Sequence, residues 1–322
     1  MGTGTHDLFG PAPSPEPALP GSYGQPPHDF RLPAATRLGA VRLQVADLER
    51  SLHFYQQVLG LRLAARDDGV ARLSPQDDDL ELVVLHARPG AAPMPQRGRL
   101  GLFHFAILLP DRAALGGFLA HLGRLGIRAG AGDHLVSEAL YLHDPDGLGI
   151  EVYADRPRET WQRIGQELML ATDPVDTVSL LAASGNEAWT GMPAGTVMGH
   201  VHLHVGDLAR ASDFFSEALG FDRMTWRYPG ALFMGAGGYH HHLGTNTWAG
   251  SGASAPAEGD AQLLEWTIHL PSAAELVAVA ASLERAGAGV ERIRDGALLT
   301  SDPWGTAIRI SCSGDGGRPA GS

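Results

Sequence analysis

Lysine is absent from the chain, and cysteine occurs once. All 24 basic residues are therefore arginine, and against 36 Asp and Glu they leave a formal net charge of -12. Such an acidic chain does not neutralise phosphates, which argues against nucleic acid and against an anionic membrane surface as main partners. The single cysteine, Cys312, excludes an intramolecular disulfide and a cysteine-based metal cluster.

Long hydrophobic runs are missing as well. No segment reaches the roughly 18 consecutive apolar residues that a transmembrane helix needs. The N-terminus has neither the basic start nor the apolar run of a signal peptide. We therefore expect a cytoplasmic protein that does not insert into a membrane.

Histidine, in contrast, is abundant, with 15 residues. If a chain with many imidazoles and almost no thiols holds a metal, its ligands should be histidine and carboxylate. The hydrophobic share of 44% over 322 residues suffices for about two domains with cores of their own.

An internal repeat organises the chain. Residues 38–61 match residues 198–221 at an offset of 160, with ten of 24 positions identical. Each copy begins with the strict alternation of a β-strand, continues through Asp47 or Asp207 as a helix N-cap, and then has a helical pattern. A repeat at such a fixed offset indicates a modular fold.

Two weaker copies lie between the strong ones. Their first strands are at 101–109 and 265–270, and each copy ends in a D-P-x-G turn between two strands, at 139–153 and 297–311. The turn residues account for these positions without any further role. The repeating module is therefore one strand, one helix and about three strands.

This pattern predicts an α+β fold of four βαβββ modules that form two paired, curved-sheet units resembling open barrels. One module cannot close its own sheet, whereas two side by side can surround a cavity. We predict a flexible N-terminal tail over 1–35, modules 1 and 2 over 36–155, a connector over 156–196 with a helix near 175–183, modules 3 and 4 over 197–312, and a flexible tail over 313–322.

The motifs of the module resemble those of the vicinal-oxygen-chelate superfamily, which includes glyoxalases, bleomycin-resistance proteins and extradiol dioxygenases. They are the strand followed by D-L-x-R-[SA]-x-x-F at the start of a module and D-P-D-G-x-x-I-E at 144–151. Four modules in one chain are similar to the type I extradiol dioxygenases of the catechol 2,3-dioxygenase kind. The resemblance covers roughly 38–312, and the ligand positions have to decide the function, since the fold supports several.

In extradiol enzymes, two facing modules supply one histidine each from their first strands, and one of them adds a glutamate from its last strand. The equivalent first-strand positions lie seven residues before each helix cap and hold Ala40, His104, His200 and Glu265. The resemblance therefore implies a metal site of His104, Glu151 and His200, formed by modules 2 and 3. Modules 1 and 4 cannot build it, because Arg309 stands where module 2 has Glu151.

The resemblance also implies residues that act on the substrate. Tyr141 occupies the place of an active-site tyrosine, ten residues before Glu151. One histidine of the run 240–242, which we place on the last strand of module 3, should be the acid–base residue, and we choose His241. His134 could be a further donor. His202 and His204 are expected to line the cavity or to be structural.

A site of two imidazoles and one carboxylate leaves open positions suited to non-haem iron. The resemblance implies an Fe(II)-dependent extradiol dioxygenase that opens a catechol-type diol with O2 to a semialdehyde, in aromatic compound catabolism. Mn(II) stays open as the metal, and a homo-oligomer is expected. Two alternatives remain: a glyoxalase-like lyase or isomerase with four protein ligands, and a metal-free protein that binds an aromatic drug.

Overall fold

The four modules are present in a computed structural model, which describes residues 2–11, 14–185 and 189–312. Each module has a first strand, a helix and three further strands, so the predicted α+β class and βαβββ unit are confirmed. The connector contains the expected helix, at Thr177–Ala183. The predicted C-terminal tail, 313–322, lies outside the described residues.

The N-terminal segment contains α1 (Thr5–Phe9) and β1 (Glu16–Pro17). Module 1 comprises β2 (Arg37–Val45), α2 (Leu48–Gln57), β3 (Arg62–Asp67), β4 (Val70–Ser74) and β5 (Val83–Ala87). Module 2 comprises β6 (Gly101–Leu108), α3 (Arg112–Arg124), β7 (Gly130–Asp133), β8 (Ser137–His143) and β9 (Gly149–Asp155). The connector has a 3-10 turn (Arg158–Thr160), β10 (Gln162–Ile164), β11 (Glu167–Leu168) and α4 (Thr177–Ala183). Module 3 comprises β12 (Val197–His204), α5 (Leu208–Ser212), a π-helical turn (Asp213–Ala218), β13 (Asp222–Thr225), β14 (Ala231–Gly235) and β15 (Leu243–Asn246). Module 4 comprises β16 (Gln262–Leu270), α6 (Ala273–Arg285), β17 (Glu291–Arg292), β18 (Leu298–Ser301) and β19 (Ala307–Cys312).

Side-chain caps start the module helices where the sequence predicts them. The carboxylate of Asp47 accepts a hydrogen bond from the backbone N–H of Arg50 at 3.1 Å, and that of Asp207 accepts from Arg210 at 2.7 Å. Each bond satisfies one of the donors that a helix N-terminus leaves free. In the two strong copies, the repeated aspartate therefore determines where the helix begins after the first strand.

Modules 2 and 3 form one eight-stranded sheet, and modules 1 and 4 form another. The first sheet has the order β13-β14-β15-β12-β6-β9-β8-β7, and the second has β17-β18-β19-β16-β2-β5-β4-β3. In each sheet the first strands of the two modules pair antiparallel at the centre, β12 with β6 and β16 with β2. The predicted pairing of modules 2 and 3 is thus confirmed, and it occurs within one chain.

The D-P-D-G turn of module 2 does more than reverse the chain, which corrects the expectation of turn chemistry alone. The fully buried carboxylate of Asp146 accepts from the backbone N–H of Ala46 at 2.9 Å and pairs with Arg50, both in module 1. The hydroxyl of Tyr55 donates to Asp144 at 3.2 Å. These contacts attach the helix of one sheet to the turn of the other.

The N-terminal segment contacts module 3. The guanidinium of Arg31 donates two hydrogen bonds to Asp222, and the backbone N–H of Leu32 donates to Gly220 at 2.8 Å. β1 pairs antiparallel with β10 of the connector. The flexibility of 1–35 and the proposed domain boundaries stay predictions.

In the described part of the chain, every helix is too short or too polar to cross a membrane.

We predict that Asp146→Ala lowers the free energy of unfolding by about 2–4 kcal/mol, because a buried N–H and an arginine lose a charged acceptor. Urea unfolding of the metal-free protein measures the change. Glu49→Gln is the control, since its carboxylate forms an exposed pair with Arg66 and should matter by about 0.5 kcal/mol or less. Equal stabilities for the two variants would contradict the role of the turn.

Candidate metal centre

Three neighbouring strands present His104, Glu151 and His200 to one face of the first sheet. Ala106 of β6 stands in register with Glu151 of β9 on one side and with His200 of β12 on the other. His104 lies two residues before Ala106, hence on the same face, since side chains alternate along a strand. The small side chain of Ala106 lets the three larger ones converge.

The ligand atoms of the three side chains are close together. Glu151 Oε2 is 3.0 Å from His104 Nε2 and 3.1 Å from His200 Nε2, and the two nitrogens are 3.4 Å apart. Atoms that each lie about 2.1 Å from one ion, at right angles to each other, are separated by about 3 Å. The donor set therefore fits one divalent metal on one face of its coordination sphere, with the opposite face open.

The protonation states of the buried side chains also suit a metal. Burial favours a neutral Glu151, but the neighbouring His200 and His104 outweigh it and hold the pKa of Glu151 well below its usual value. Burial lowers the pKa of His200 to about 4, against the opposing effect of Glu151. A deprotonated carboxylate and a neutral imidazole are the forms that bind a metal ion.

Neighbouring aromatic rings pack against the ring of His200. Its Nδ1 is buried without a hydrogen-bond partner among the described residues. The ring centroid lies 4.1 Å from that of His241 and 5.0 Å from that of Tyr153. Contacts with tilted aromatic rings, in place of the hydrogen bond that usually orients a ligating histidine, hold this side chain.

A cavity of about 830 Å³ opens above the three ligands. All six residues predicted for the site line it: His104, His134, Tyr141, Glu151, His200 and His241. Their separations along the chain reach 137 residues, so only the paired sheet brings them together. Their roles as ligands or catalytic groups stay predictions.

Tyr141 and His134 form a hydrogen-bonded pair beside Glu151. Tyr141 is in register with Glu151 across β8 and β9, and its hydroxyl lies 2.5 Å from His134 Nε2. The other nitrogen of His134, Nδ1, is 2.7 Å from the carbonyl oxygen of Ala171, to which it can only donate. Nε2 is then the acceptor, and the Tyr141 hydroxyl donates to it. Burial and the charge of Glu151 raise the pKa of Tyr141 well above its usual value.

The histidine run 240–242 lies in the bend directly before β15, so its predicted place on the last strand of module 3 is wrong. Of the three side chains, only that of His241 lines the cavity. His240 faces Asp155, and Nδ1 of His242 accepts from the backbone N–H of Ala236. Burial, with His200 and His240 nearby, lowers the pKa of His241 well below its usual value.

The position in module 3 that corresponds to Glu151 is Gly244. Gly244 is in register with His202 as Glu151 is with Ala106, and a Cβ there would lie 2.8 Å from the His202 ring. No side chain fits at this place. A second carboxylate opposite Glu151, which a four-ligand site of the glyoxalase kind would require, is therefore missing from the strand.

His202 and His204 line the cavity, as expected, and the sequence missed the side chain that joins them. Asn246 Nδ2 lies 3.0 Å from His202 Nε2, and its Oδ1 lies 2.6 Å from His204 Nδ1. Asn246 is beside His204 through the pairing of β12 with β15. Only that register could have revealed it. Asp155, which forms a hydrogen bond with His240, could have been found from the sequence. It lies four residues after Glu151 on β9, and residues 151, 153 and 155 point to the same face of the strand.

In the described residues of the second sheet, the side chains at the corresponding positions are engaged in ion pairs or are apolar. Glu265 pairs with Arg42 at 3.0 Å, and Arg309 pairs with Asp295. Val84 occupies the last-strand position of module 1, in register with Arg42. Over 2–11, 14–185 and 189–312, His104, Glu151 and His200 are the one group of histidine, cysteine or carboxylate side chains with the spacing of metal ligands.

A family model and a curated relative both match this chain over most of its length. The model of the Glyoxalase/Bleomycin resistance protein/Dioxygenase superfamily matches residues 37–152 and 197–309. A curated relative, the catechol-2,3-dioxygenase of Bacillus subtilis (strain 168), is 45% identical over 271 residues, which cover 83% of this chain and 94% of the relative.

Solved structures share the fold. A candidate dioxygenase from Bacillus subtilis subsp. subtilis str. 168 superimposes with a TM-score of 0.59 at 12% identity, over 88% of this chain and 86% of that one. Glyoxalase I from Zea mays superimposes with a TM-score of 0.50 at 17% identity, over 86% and 92% of the two chains. At such identities the likeness extends to the architecture alone.

We predict that Glu151→Gln, His104→Ala and His200→Ala each weaken metal binding by more than about 100-fold. Replacing even a residue that only hydrogen-bonds a metal ligand lowers the metal affinity by roughly 10–100-fold. Calorimetric titration of the metal-free protein with Mn²⁺, an air-stable probe, measures the affinity. Glu265→Gln, at the equivalent position of the second sheet, should bind Mn²⁺ as the unchanged protein does. Unaltered affinity in Glu151→Gln would refute the assignment.

Proposed function

The chain belongs to the Glyoxalase/Bleomycin resistance protein/Dioxygenase superfamily, and on that premise we propose that it is an extradiol dioxygenase. It would open a catechol-type aromatic diol beside its two hydroxyls with O2 and yield a ring-opened semialdehyde. The observation that carries the proposal is the buried group of His104, Glu151 and His200 with one open side toward a cavity. The 45% identity to a catechol-2,3-dioxygenase supports the same reaction.

The metal we propose is Fe(II), with Mn(II) as the alternative, held by His104, Glu151 and His200. Two neutral imidazoles and one carboxylate with open positions are the set associated with non-haem iron and oxygen chemistry. When bound, the metal would supply Lewis-acid activation of the diol and electron transfer to oxygen. The side chains of this chain would then bind the substrate, orient it and move its protons.

His241 is the proposed acid–base residue. It borders the cavity next to His200, and its lowered pKa keeps the ring neutral at physiological pH, which is the form that accepts a proton from a phenol. Tyr141 lies on the opposite side, next to Glu151. Because its hydroxyl donates to His134, its oxygen retains lone pairs that can accept a hydrogen bond from a substrate hydroxyl.

Aromatic side chains form part of the cavity wall. The Phe103 ring centroid is 5.6 Å from that of Trp248, and Tyr228 lies 5.7 Å from Phe233. These rings line the cavity together with His202. A flat aromatic substrate would pack on such walls and displace water from the reacting hydroxyls.

The alternatives have less support. A glyoxalase-like lyase or isomerase would use a fourth protein ligand, and Gly244 provides none at the equivalent position. A metal-free drug-binding protein has no need for three converging ligand atoms. We further propose a role in aromatic compound catabolism in the cytoplasm and a homo-oligomeric assembly.

We predict that the protein loaded with Fe(II) converts catechol in air to a yellow product and forms none when oxygen is removed. His241→Asn should lower kcat by about 10²- to 10⁴-fold, the usual contribution of a general acid or base. His53→Asn, an exposed histidine of α2, is the matched control and should retain full activity. Absorbance spectroscopy and oxygen uptake measure both rates. Product formation without oxygen, or full activity in Glu151→Gln, would contradict the proposal.

A further inference from the structure

A chain of hydrogen bonds runs from the protein surface to the cavity through two adjacent histidines. Asp155 Oδ1 is 2.8 Å from His240 Nε2, and His240 Nδ1 is 2.7 Å from His241 Nδ1. His240 has no exposed surface, whereas the side chain of Asp155 is 27% exposed. We propose that Asp155 and His240 are positioning residues that fix the tautomer of His241 and leave its Nε2 as the unprotonated nitrogen in the cavity.

The inference follows from the donors and acceptors along the chain. A carboxylate only accepts hydrogen bonds, so the Nε2 of His240 carries the proton that lies toward Asp155. A neutral imidazole carries one N–H, so Nδ1 of His240 is then an acceptor. The contact between the two histidines therefore requires His241 to donate from Nδ1. In a neutral His241 ring the lone pair is consequently on Nε2.

The surroundings of Asp155 hold it in place for this role. The Tyr239 hydroxyl donates to Asp155 Oδ1 at 3.3 Å, and the Tyr153 hydroxyl is 2.6 Å from that of Tyr239. Because Tyr239 donates to the carboxylate, Tyr153 donates to Tyr239. The Tyr239 ring also packs on His240, with centroids 4.1 Å apart. Tyr239 and His240 thus both contact the carboxylate of Asp155 and orient it.

Two aromatic neighbours contact the ring of His241. The centroid of its ring is 4.1 Å from that of His200 and 5.0 Å from that of Phe233. None of the hydrogen bonds formed by the described residues uses its Nε2, and the side chain lines the cavity. The nitrogen that faces a bound molecule is therefore the one that Asp155 and His240 leave without a proton.

For catalysis, the inference rests on the proposed function. A phenolic O–H of the substrate would give its proton to Nε2 of His241, while the Nδ1 proton stays in its bond to His240. The opposite tautomer would present an N–H to the hydroxyl and could not accept that proton. An orienting carboxylate in a histidine-based site acts in the same manner, by selecting the tautomer and the ring orientation.

Nuclear magnetic resonance of the metal-free protein, labelled with ¹⁵N-histidine, tests the tautomer directly. We assign His241 by the signals lost in His241→Asn. In the unchanged protein we expect the proton of His241 on Nδ1. Asp155→Asn can donate to His240 Nε2 as well as accept, so we expect it to move the His241 proton partly or fully to Nε2. Asp155→Glu should restore Nδ1.

Asp295→Asn is the control, because Asp295 belongs to an ion pair of the second sheet. It should leave the His241 signals unchanged. A proton on Nε2 of His241 in the unchanged protein would overturn the inference, and that measurement needs no variant to fold. An unaltered tautomer in a folded Asp155→Asn protein would also overturn it.

Kinetics separate this inference from the proposed function. If the protein opens catechol, Asp155→Asn should lower kcat by at least about 10-fold with little change in KM, and Asp155→Glu should recover most of kcat. An equal loss in both variants would refute the positioning role. If no ring opening occurs while His241 carries its proton on Nδ1, the proposed function fails and the tautomer assignment stands.

Discussion

The antiparallel pairing of β6 with β12 is the contact on which the site depends. It joins modules 2 and 3 into one sheet and puts His104 and His200 on one face, with Ala106 between them in register. The parallel pairing of β6 with β9 adds Glu151 to the same face. A shift of one residue in either pairing would turn a ligand to the other side of the sheet, because side chains alternate with a period of two.

Burial gives the ligands their chemical state and also makes them interdependent. Removed from water, His200 favours the neutral form, and His200 and His104 within hydrogen-bond distance of Glu151 keep the pKa of this carboxyl low despite its burial. Each protonation state depends on the others, and together they match the needs of a divalent ion. In the second sheet, Glu265 forms an ion pair with Arg42 at the position that His200 occupies in the first sheet.

The histidines of the cavity differ in how the protein orients them. Ring contacts hold His200, a backbone carbonyl orients His134, Asn246 orients His202 and His204, and His240 orients His241. A neutral imidazole has one donor and one acceptor, so each partner decides which nitrogen is open to the cavity. The turn at Asp144 and Asp146 connects this sheet to module 1, and thereby couples the site to the stability of the whole chain.

Much of this could be predicted from the sequence, because local patterns carry the repeat. Strand alternation, capping aspartates and D-P-x-G turns determined the four modules, and equal spacing from the caps singled out His104 and His200. The sequence could not place Gly244 opposite Glu151, join Asn246 to His202 and His204, or connect Asp155 to His241. Those relations depend on strand register and on contacts between residues up to 86 apart in the chain. Residue types and their periodicity thus determined the modules and the candidate ligands, whereas only the packed sheets decided which side chains meet and which nitrogen each presents.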